Sequence, residues 1–516
     1  MDLKKRARKF FFSRFFVLGL LFFVQACLMV WIVMRAQAMG HIVAEFFYVV
    51  SVIMALWVLS RDMHPTYKLA WIVPILILPL FGGMFYLLFG THGFRKKSLI
   101  DKLSPYLQDK ELMQQDPQVL KQLEDFDGDA ALQASYIRNM AAYPVYSRTK
   151  TDYFSCGEDF FEQLKKDLRA AKRCIFLEFF IVEEGLMFDE IADILEQKAQ
   201  EGLDVRLIYD DVGSAARVSS SFASQLNKRG IKCCVFNARG LKLSFLLNNR
   251  DHRKIVVIDG RISYTGGFNL ADEYINAISP FGYWKDSAVR LEGDASWSFT
   301  IIFLQTWAFA SQEARIDFAQ FMPSLEEQAL FESDGFVLPY ADSSPISNVP
   351  LSKYAFLNAI QDAEKSIYIS TPYLIIDSEM QTALCLSAEM GIDVRIITPA
   401  IPDKKAVFEV TRANYLELLK AGVKIYEYSP GFIHSKAMMV DKQLAVIGTT
   451  NFDYRSFFLH FECGAFLFGS SAIDQLSADF EKSFLISKEI SLEEQLAISM
   501  PRRIMRRTLS AFAPLL

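Results

Sequence analysis

The chain has 516 residues and a formal net charge of −5, with a sequence pI of about 5.8 and a mean hydropathy of +0.17. Such a length allows roughly two to four domains with sizeable cores. The acidic balance leaves no basic field to wrap a nucleic acid, so no nucleic-acid partner is expected, and the seven Cys form no C-x-x-C pair, which points to free thiols rather than a disulfide framework or a zinc site.

The excess hydrophobicity lies at the front. Lys4, Lys5, Arg6, Arg8, Lys9 and Arg14 precede an uncharged run from Phe15 to Met34, and twenty residues of helix span about 30 Å, the thickness of a bilayer core. Ala36-Gln-Ala38 resembles a signal-peptide cleavage site, but the apolar run before it is too long for a typical signal core. Further apolar stretches run from Ile42 to Leu59, with Glu45 near one end, and from Leu69 to Phe89, interrupted by Pro74, Pro79, Gly82 and Gly83. Residues 1–92 are therefore expected to be a membrane anchor of two or three hydrophobic helices. The basic N-terminal cluster and Arg95-Lys96-Lys97 should both face the cytoplasm, which requires an even number of crossings and makes the broken third run a re-entrant or interfacial hairpin. A multi-pass protein with a cytoplasmic catalytic part follows.

Residues 93–135 are polar and helix-prone and read as a juxtamembrane linker. From 136 on, α/β alternation sets in. Cys174 to Val182 reads as a strand, a helix follows through Ala192 to Ala199, and Gly202 to Asp210 reads as a second strand. The apolar stretch Leu241, Leu243, Phe245, Leu246 and Leu247 precedes Asp-His252-Arg-Lys254-Ile-Val-Val-Ile-Asp259 and then Gly266-Gly-Phe-Asn269. The order then returns. Ala363-Glu-Lys-Ser-Ile367 matches Ala171-Lys-Arg-Cys-Ile175, Gly391-Ile-Asp-Val-Arg395 matches Gly202-Leu-Asp-Val-Arg206, and Gly422-Val-Lys-Ile matches Gly230-Ile-Lys-Cys. His434-Ser-Lys436-Ala-Met-Met-Val-Asp441, followed by Gly448-Thr-Thr-Asn451, matches the first motif, and the four offsets are 192, 189, 192 and 182. The chain is a duplication, with halves over 136–330 and 331–516 that should share an interface.

Both motifs are His-x-Lys-x4-Asp, and in both an Asn stands 17 residues after the His. On a strand, residues two apart face the same way, so each motif offers an imidazole beside an ammonium group, half of a phosphate site. Two copies with matching Asn argue against coincidence. Asp286 and Glu462 open the equivalent strands that follow, where a carboxylate can fix the tautomer of an imidazole.

These duplicated motifs resemble the phospholipase D superfamily. Within it, Tyr143-Pro-Val-Tyr, Gly157-Glu-Asp-Phe-Phe-Glu162, Ile175-Phe-Leu-Glu-Phe-Phe-Ile181, Tyr209-Asp-Asp-Val-Gly-Ser214, Asn249-Arg-Asp-His-Arg-Lys-Ile255 and the segment ending Tyr86-Leu-Leu-Phe-Gly90 resemble bacterial cardiolipin synthases. The resemblance implies an α/β fold of two tandem phospholipase D-like repeats with pseudo-twofold symmetry and one shared active site. It implies a phosphatidyltransferase that joins two phosphatidylglycerols into cardiolipin and glycerol through a phosphohistidine, at the bacterial cell membrane. No cofactor, neither metal nor nucleotide, is implied, and the sequence holds no Cys/His cluster or nucleotide-type glycine loop. In the superfamily the N-terminal His attacks, which makes His252 the nucleophile and His434 the acid; the symmetry of the repeat alone leaves that choice open. Lys254, Lys436, Asn269 and Asn451 are expected to hold the non-bridging phosphate oxygens, and Asp286 and Glu462 to orient the two imidazoles. Asp259 and Asp441 complete the catalytic motifs, with structural hydrogen bonding expected from them rather than proton transfer. The leucine-rich stretch at 241–247 is expected to face lipid and keep water from competing.

The four Arg at 502, 503, 506 and 507 share a helical face, open either to an anionic membrane or to solvent. The rival readings are a membrane-anchored hydrolase of phosphodiesters and a scaffold that retains the fold without activity; a homo-oligomer is left open.

Overall fold

The structure, a computed structural model, describes residues 39–61, 63–79, 81–90, 112–236, 249–313, 316–347 and 349–515. The chain divides into two compact units, one up to His92 and one from Gly93 onward.

In the first unit, Met39–Leu59 is a helix. Pro65–Ile77 is a second, opening on a proline where the missing N–H would be unpaired in any case. The third apolar run breaks at Pro79 and resumes as Phe81–Phe85 and Tyr86–Gly90. A Cβ on Gly82 would stand 2.2 Å from the Pro74 carbonyl oxygen, so this close return requires glycine. Val58, Trp71, Ile75 and Tyr86 form a small core, while Phe46, Ile53, Leu56, Leu69 and Ile77 point outward. No helix among the described residues is long and apolar enough to cross a membrane; within Met39–Leu59 the described side chains begin at residue 44, short of the roughly 20 residues that a bilayer core requires. The expected span Phe15–Met34 and the basic clusters at 4–14 and 95–97 lie outside the described residues.

In the second unit, the first half contributes β1 (Thr149–Phe154), β2 (Cys174–Phe179), β3 (Asp204–Asp210), β4 (Lys232–Phe236), β5 (Arg250–Asp251), β6 (Ile255–Ile258), β7 (Ile262–Gly266), β8 (Tyr283–Lys285) and β9 (Ala288–Gly293). The second contributes β10 (Phe336–Asp342), β11 (Ser366–Ser370), β12 (Asp393–Pro399), β13 (Lys424–Tyr428), β14 (Gly431–Ile433), β15 (Ala437–Val440), β16 (Leu444–Gly448), β17 (His460–Phe468) and β18 (Ser487–Ile490). The sheet orders are β1-β9-β7-β6-β2-β3-β4 and β10-β17-β16-β15-β11-β12-β13-β18. Position for position they agree, apart from the edge strand β18, so two repeated α/β domains are present. The four-residue apolar runs after each Lys are β6 and β15, buried at every position, as interior strands covered on both faces must be.

Two short strands cross between the halves. β5 pairs in parallel with the start of β17, and β14 pairs in parallel with β8. Each therefore carries the approach to one His-x-Lys motif onto the other half.

Of the segment 93–135, expected to be a linker, the described residues begin at 112 and pack into the second unit. Ala130, Ala134 and Ile137 of the helix Gly128–Ala141 are buried in the main core, and Gln133 Nε2 donates to the Ala355 carbonyl, 3.1 Å away in the second half. Charged neighbours conceal this i, i+4, i+7 stripe of apolar residues, and the stripe seats the helix. The C-terminal arginines are likewise turned to protein. Arg502 and Arg506 clasp Glu409 at 2.6 Å each, and Arg507 approaches Glu417 at 3.4 Å.

Candidate active site

The site is built where β5 and β14 cross. His252 N donates to the Phe461 carbonyl (2.9 Å) and His434 N to the Lys285 carbonyl (2.7 Å), so each imidazole is tethered by its backbone to the opposite half. The carboxylates follow the same exchange. His252 Nδ1 lies 3.0 Å from both oxygens of Glu462, and His434 Nδ1 lies 2.6 Å from Asp286 Oδ2. Both carboxylates are fully buried, and both imidazoles nearly so. With Nδ1 held, Nε2 is the nitrogen left for chemistry on each ring.

The supports of the two carboxylates differ. Glu462 Oε2 accepts from the Thr449 hydroxyl at 2.5 Å. Asp286 Oδ1 accepts from Ser287 N at 2.8 Å, and a Cβ on Gly267 would fall 1.8 Å from that oxygen. The shorter Asp thus reaches its imidazole past a glycine, whereas the longer Glu has room for the threonine at the equivalent position. Between the two domains, Ser287 Oγ and Ser435 Oγ meet at 2.6 Å.

Lys254 Nζ donates to the His252 carbonyl at 2.6 Å, and Lys436 Nζ donates to the His434 carbonyl. An ammonium group carries three N–H donors, so this bond orients each lysine and leaves further donors. Burial first, and then the charges of Lys254, Lys436 and His434, push His252 well below the ordinary histidine value. Burial, Lys436 and Lys254 do the same to His434. Both lysines thus bear on both imidazoles. Burial also pushes Lys254 down to about 8 and Lys436 down to about 7, the latter also repelled by Lys254. Asp286 is pushed up to about 7 by burial, against the pull of Lys436 and Lys254. Since burial opposes charge on both members, the His434–Asp286 pair takes up one proton between them near neutral pH. Two imidazoles and two ammonium groups buried together are stabilised in their protonated forms by an anion such as a phosphodiester.

The two asparagines are not equivalent. Asn269 Oδ1 accepts from Ile181 N at 2.9 Å and its Nδ2 donates to the Tyr274 hydroxyl at 2.6 Å, whereas Asn451 Oδ1 has no partner among the described residues. Asp259 and Asp441 do not join the imidazoles. Each sits at a turn with positive φ and accepts three backbone N–H groups, from Lys172, Arg173 and Cys174 and from Glu364, Lys365 and Ser366. Each ties the end of its motif strand to the start of β2 or β11, a structural role. The stretch at 241–247 lies outside the described residues.

Two features escaped the sequence reading. Arg253, between the motif His and Lys, is buried against Glu178 (2.9 Å) and Asp251 (2.8 Å), an ion cluster that fixes the strand behind His252. His460 is a third buried imidazole, its ring centroid 5.4 Å from that of His252; its signal was the His-x-Glu spacing to Glu462, which places both on one side of β17. Ligand atoms of His252, His460 and Glu462 lie within 4.8 Å of one another, but the charges of Lys254 and Lys436 act against a cation here, and no metal ligands are assigned.

The family model described as "Cardiolipin synthase, PLD-like domain" matches residues 164–278 and 356–484, and the one described as "Phospholipase_D-nuclease N-terminal" matches residues 49–90. A cardiolipin synthase of Halalkalibacterium halodurans is 35% identical, over 93% of this chain and 96% of its own. An uncharacterised protein of Streptococcus mutans is 39% identical, over 89% of this chain and 99% of its own. The crystal structure of the phosphatidylserine synthase of Haemophilus influenzae superposes with a TM-score of 0.55 at 14% identity, covering 74% of this chain and all of that one, which shows the fold alone. On these matches, and with a His-x-Lys-x4-Asp motif in each of its two repeated domains, the chain belongs to the cardiolipin synthases of the phospholipase D superfamily.

Proposed function

We propose that the site transfers a phosphatidyl group from one phosphatidylglycerol to another through a phosphohistidine at His252. The observation that carries this reading is the reciprocal bracing of the two imidazoles, His252 by Glu462 and His434 by Asp286. Neutral His252 attacks phosphorus with Nε2, and the positive charge that develops on its ring is met by Glu462. The P–O bond to glycerol breaks, and His434 delivers its proton to the departing oxygen. His434, now neutral, removes the proton from a hydroxyl of a second phosphatidylglycerol; that oxygen forms the new P–O bond as the bond to His252 breaks. Two phosphatidylglycerols thus give cardiolipin and glycerol, and His434 ends protonated as it began. Lys254 and Lys436 hold the non-bridging oxygens, with Asn451 and the remaining N–H of Asn269 completing the cradle.

The assignment of roles rests on the surroundings of each ring. Burial and the same lysines favour the neutral form of both rings, so the carboxylates are what distinguishes them. His434 has the shorter carboxylate bond, to a partner that takes up a proton near neutral pH, which favours a proton donor. The N-terminal family match at 49–90 supports membrane association; the apolar runs at 15–34, 42–59 and 69–89 extend this reading to a multi-pass anchor, a cytoplasmic catalytic part and the bilayer as the source of both lipids.

Incubation of the full chain with phosphatidylglycerol in mixed micelles is expected to yield cardiolipin and glycerol in equal amounts, read by mass spectrometry. Phosphatidic acid as the sole product would instead mark a hydrolase. The lysines set the pH dependence. Their charged forms bind phosphate and are lost as pH rises through about 7 to 8 in the free protein, so kcat/KM is expected to fall across that window. Bound phosphate favours the ammonium forms, so the same fall in kcat is expected at higher pH.

A further inference from the structure

The two sides of the site are unequal at one pair of positions. Two residues before Glu462 stands His460, and two residues before Asp286, its counterpart in the repeat, stands Trp284. Each ring packs beside the imidazole that its neighbouring carboxylate braces: His460 to His252 at 5.4 Å between centroids and Trp284 to His434 at 5.3 Å. His460 is 8% exposed, and among the described residues neither of its ring nitrogens has a hydrogen-bond partner. Its Nδ1 stands 3.6 Å from Glu462 Oε1, while Thr449 takes the other oxygen. An unpaired imidazole buried in this way costs free energy unless it acts on its surroundings.

We propose that His460 is a positioning residue: its imidazole steadies the second oxygen of Glu462 and, through it, the ring of His252, while Trp284 fills the matching place beside His434 and makes the two sides of the site unequal. This rests on the reading of His252 as nucleophile. An indole N–H is a donor at any pH. An imidazole donates from one nitrogen only when neutral, and burial keeps His460 so, pushing it down to about 3. At 3.6 Å from Oε1, a neutral ring acts on Glu462 as a dipole rather than through a hydrogen bond, adds no cation, and so limits how far Glu462 raises the basicity of His252. The charged and titratable groups bearing on the two rings are Lys254, Lys436, Lys404, His434, Arg455 and Glu462.

The test is the pH profile of cardiolipin formation by the full chain in phosphatidylglycerol micelles, for wild type, His460→Ala and His460→Asn. His460→Ala leaves Oε1 with more charge and admits water beside His252. Both changes raise the basicity of His252, so the acidic limb of kcat/KM is expected to move to higher pH, with kcat down about tenfold and KM nearly unchanged. His460→Asn keeps an N–H donor beside the carboxylate and is expected to restore most of kcat and the wild-type limb. If His460→Ala fails to fold, as its melting transition would show, His460→Leu fills the space without a donor and takes its place. Equal losses in both variants with unmoved limbs, or movement of the alkaline limb alone, would overturn the proposal. A His252→Ala variant run alongside separates the two readings: its retaining cardiolipin formation sinks the parent mechanism, whereas its inactivity beside a wild-type profile in His460→Ala sinks this proposal alone.

Discussion

His252→Ala is expected to abolish cardiolipin formation, a loss of about 10⁴-fold or more, as removal of a covalent nucleophile does. The ring is 6% exposed and forms no part of the apolar cores, so truncation leaves the fold intact and the loss is one of chemistry. His434→Ala is expected to lose as much with phosphatidylglycerol, because a glycerol alkoxide leaves poorly without a proton. The two variants part company on a phosphodiester with a nitrophenolate leaving group, which departs without protonation. There His434→Ala is expected to release nitrophenolate in a burst, stalling as the phosphohistidine, while His252→Ala releases none. A burst from His252→Ala would exchange the two roles.

The second large effect concerns the exchanged carboxylates. Glu462→Gln and Asp286→Asn are each expected to lower kcat with phosphatidylglycerol by about 10² to 10⁴, since an amide no longer fixes the tautomer or meets the developing charge of its imidazole. Both are near-isosteric, so melting temperatures should change little. The activated diester again separates them. Glu462 serves the attacking ring, although it lies 210 residues away in the other half, so Glu462→Gln is expected to slow the burst. Asp286 serves the ring that is not needed for that step, so Asp286→Asn is expected to spare it. The opposite result would exchange the roles of the two imidazoles, since each carboxylate is bonded to the ring of the other half.

That exchange marks the boundary of what the sequence discloses. The apolar runs after Lys254 and Lys436 announced β6 and β15, because strands buried on both faces have no polar alternation to blur them. The motif residues were legible because chemistry demands particular side chains at a fixed spacing. Asp286 and Glu462 were legible as carboxylates at equivalent strand starts, but the partner of each is decided by β5 lying on β17 and β14 on β8, contacts between segments some 150 to 210 residues apart that no local pattern records. Ala130, Ala134 and Ile137 were passed over because small residues among charges give a weak stripe, although close packing of small side chains is what lets that helix dock. His460 was passed over because one buried histidine looks like any other until its distance to His252 is known.

The central claim is that one phosphorus atom is attacked by His252 within a site shared by both halves. Its most direct test is mass spectrometry of peptides from protein quenched in alkali during turnover of phosphatidylglycerol, conditions under which phosphohistidine survives. The account predicts a phosphatidyl adduct on the peptide that carries His252 and none on the peptide that carries His434. An adduct on His434, or on both peptides equally, would contradict it.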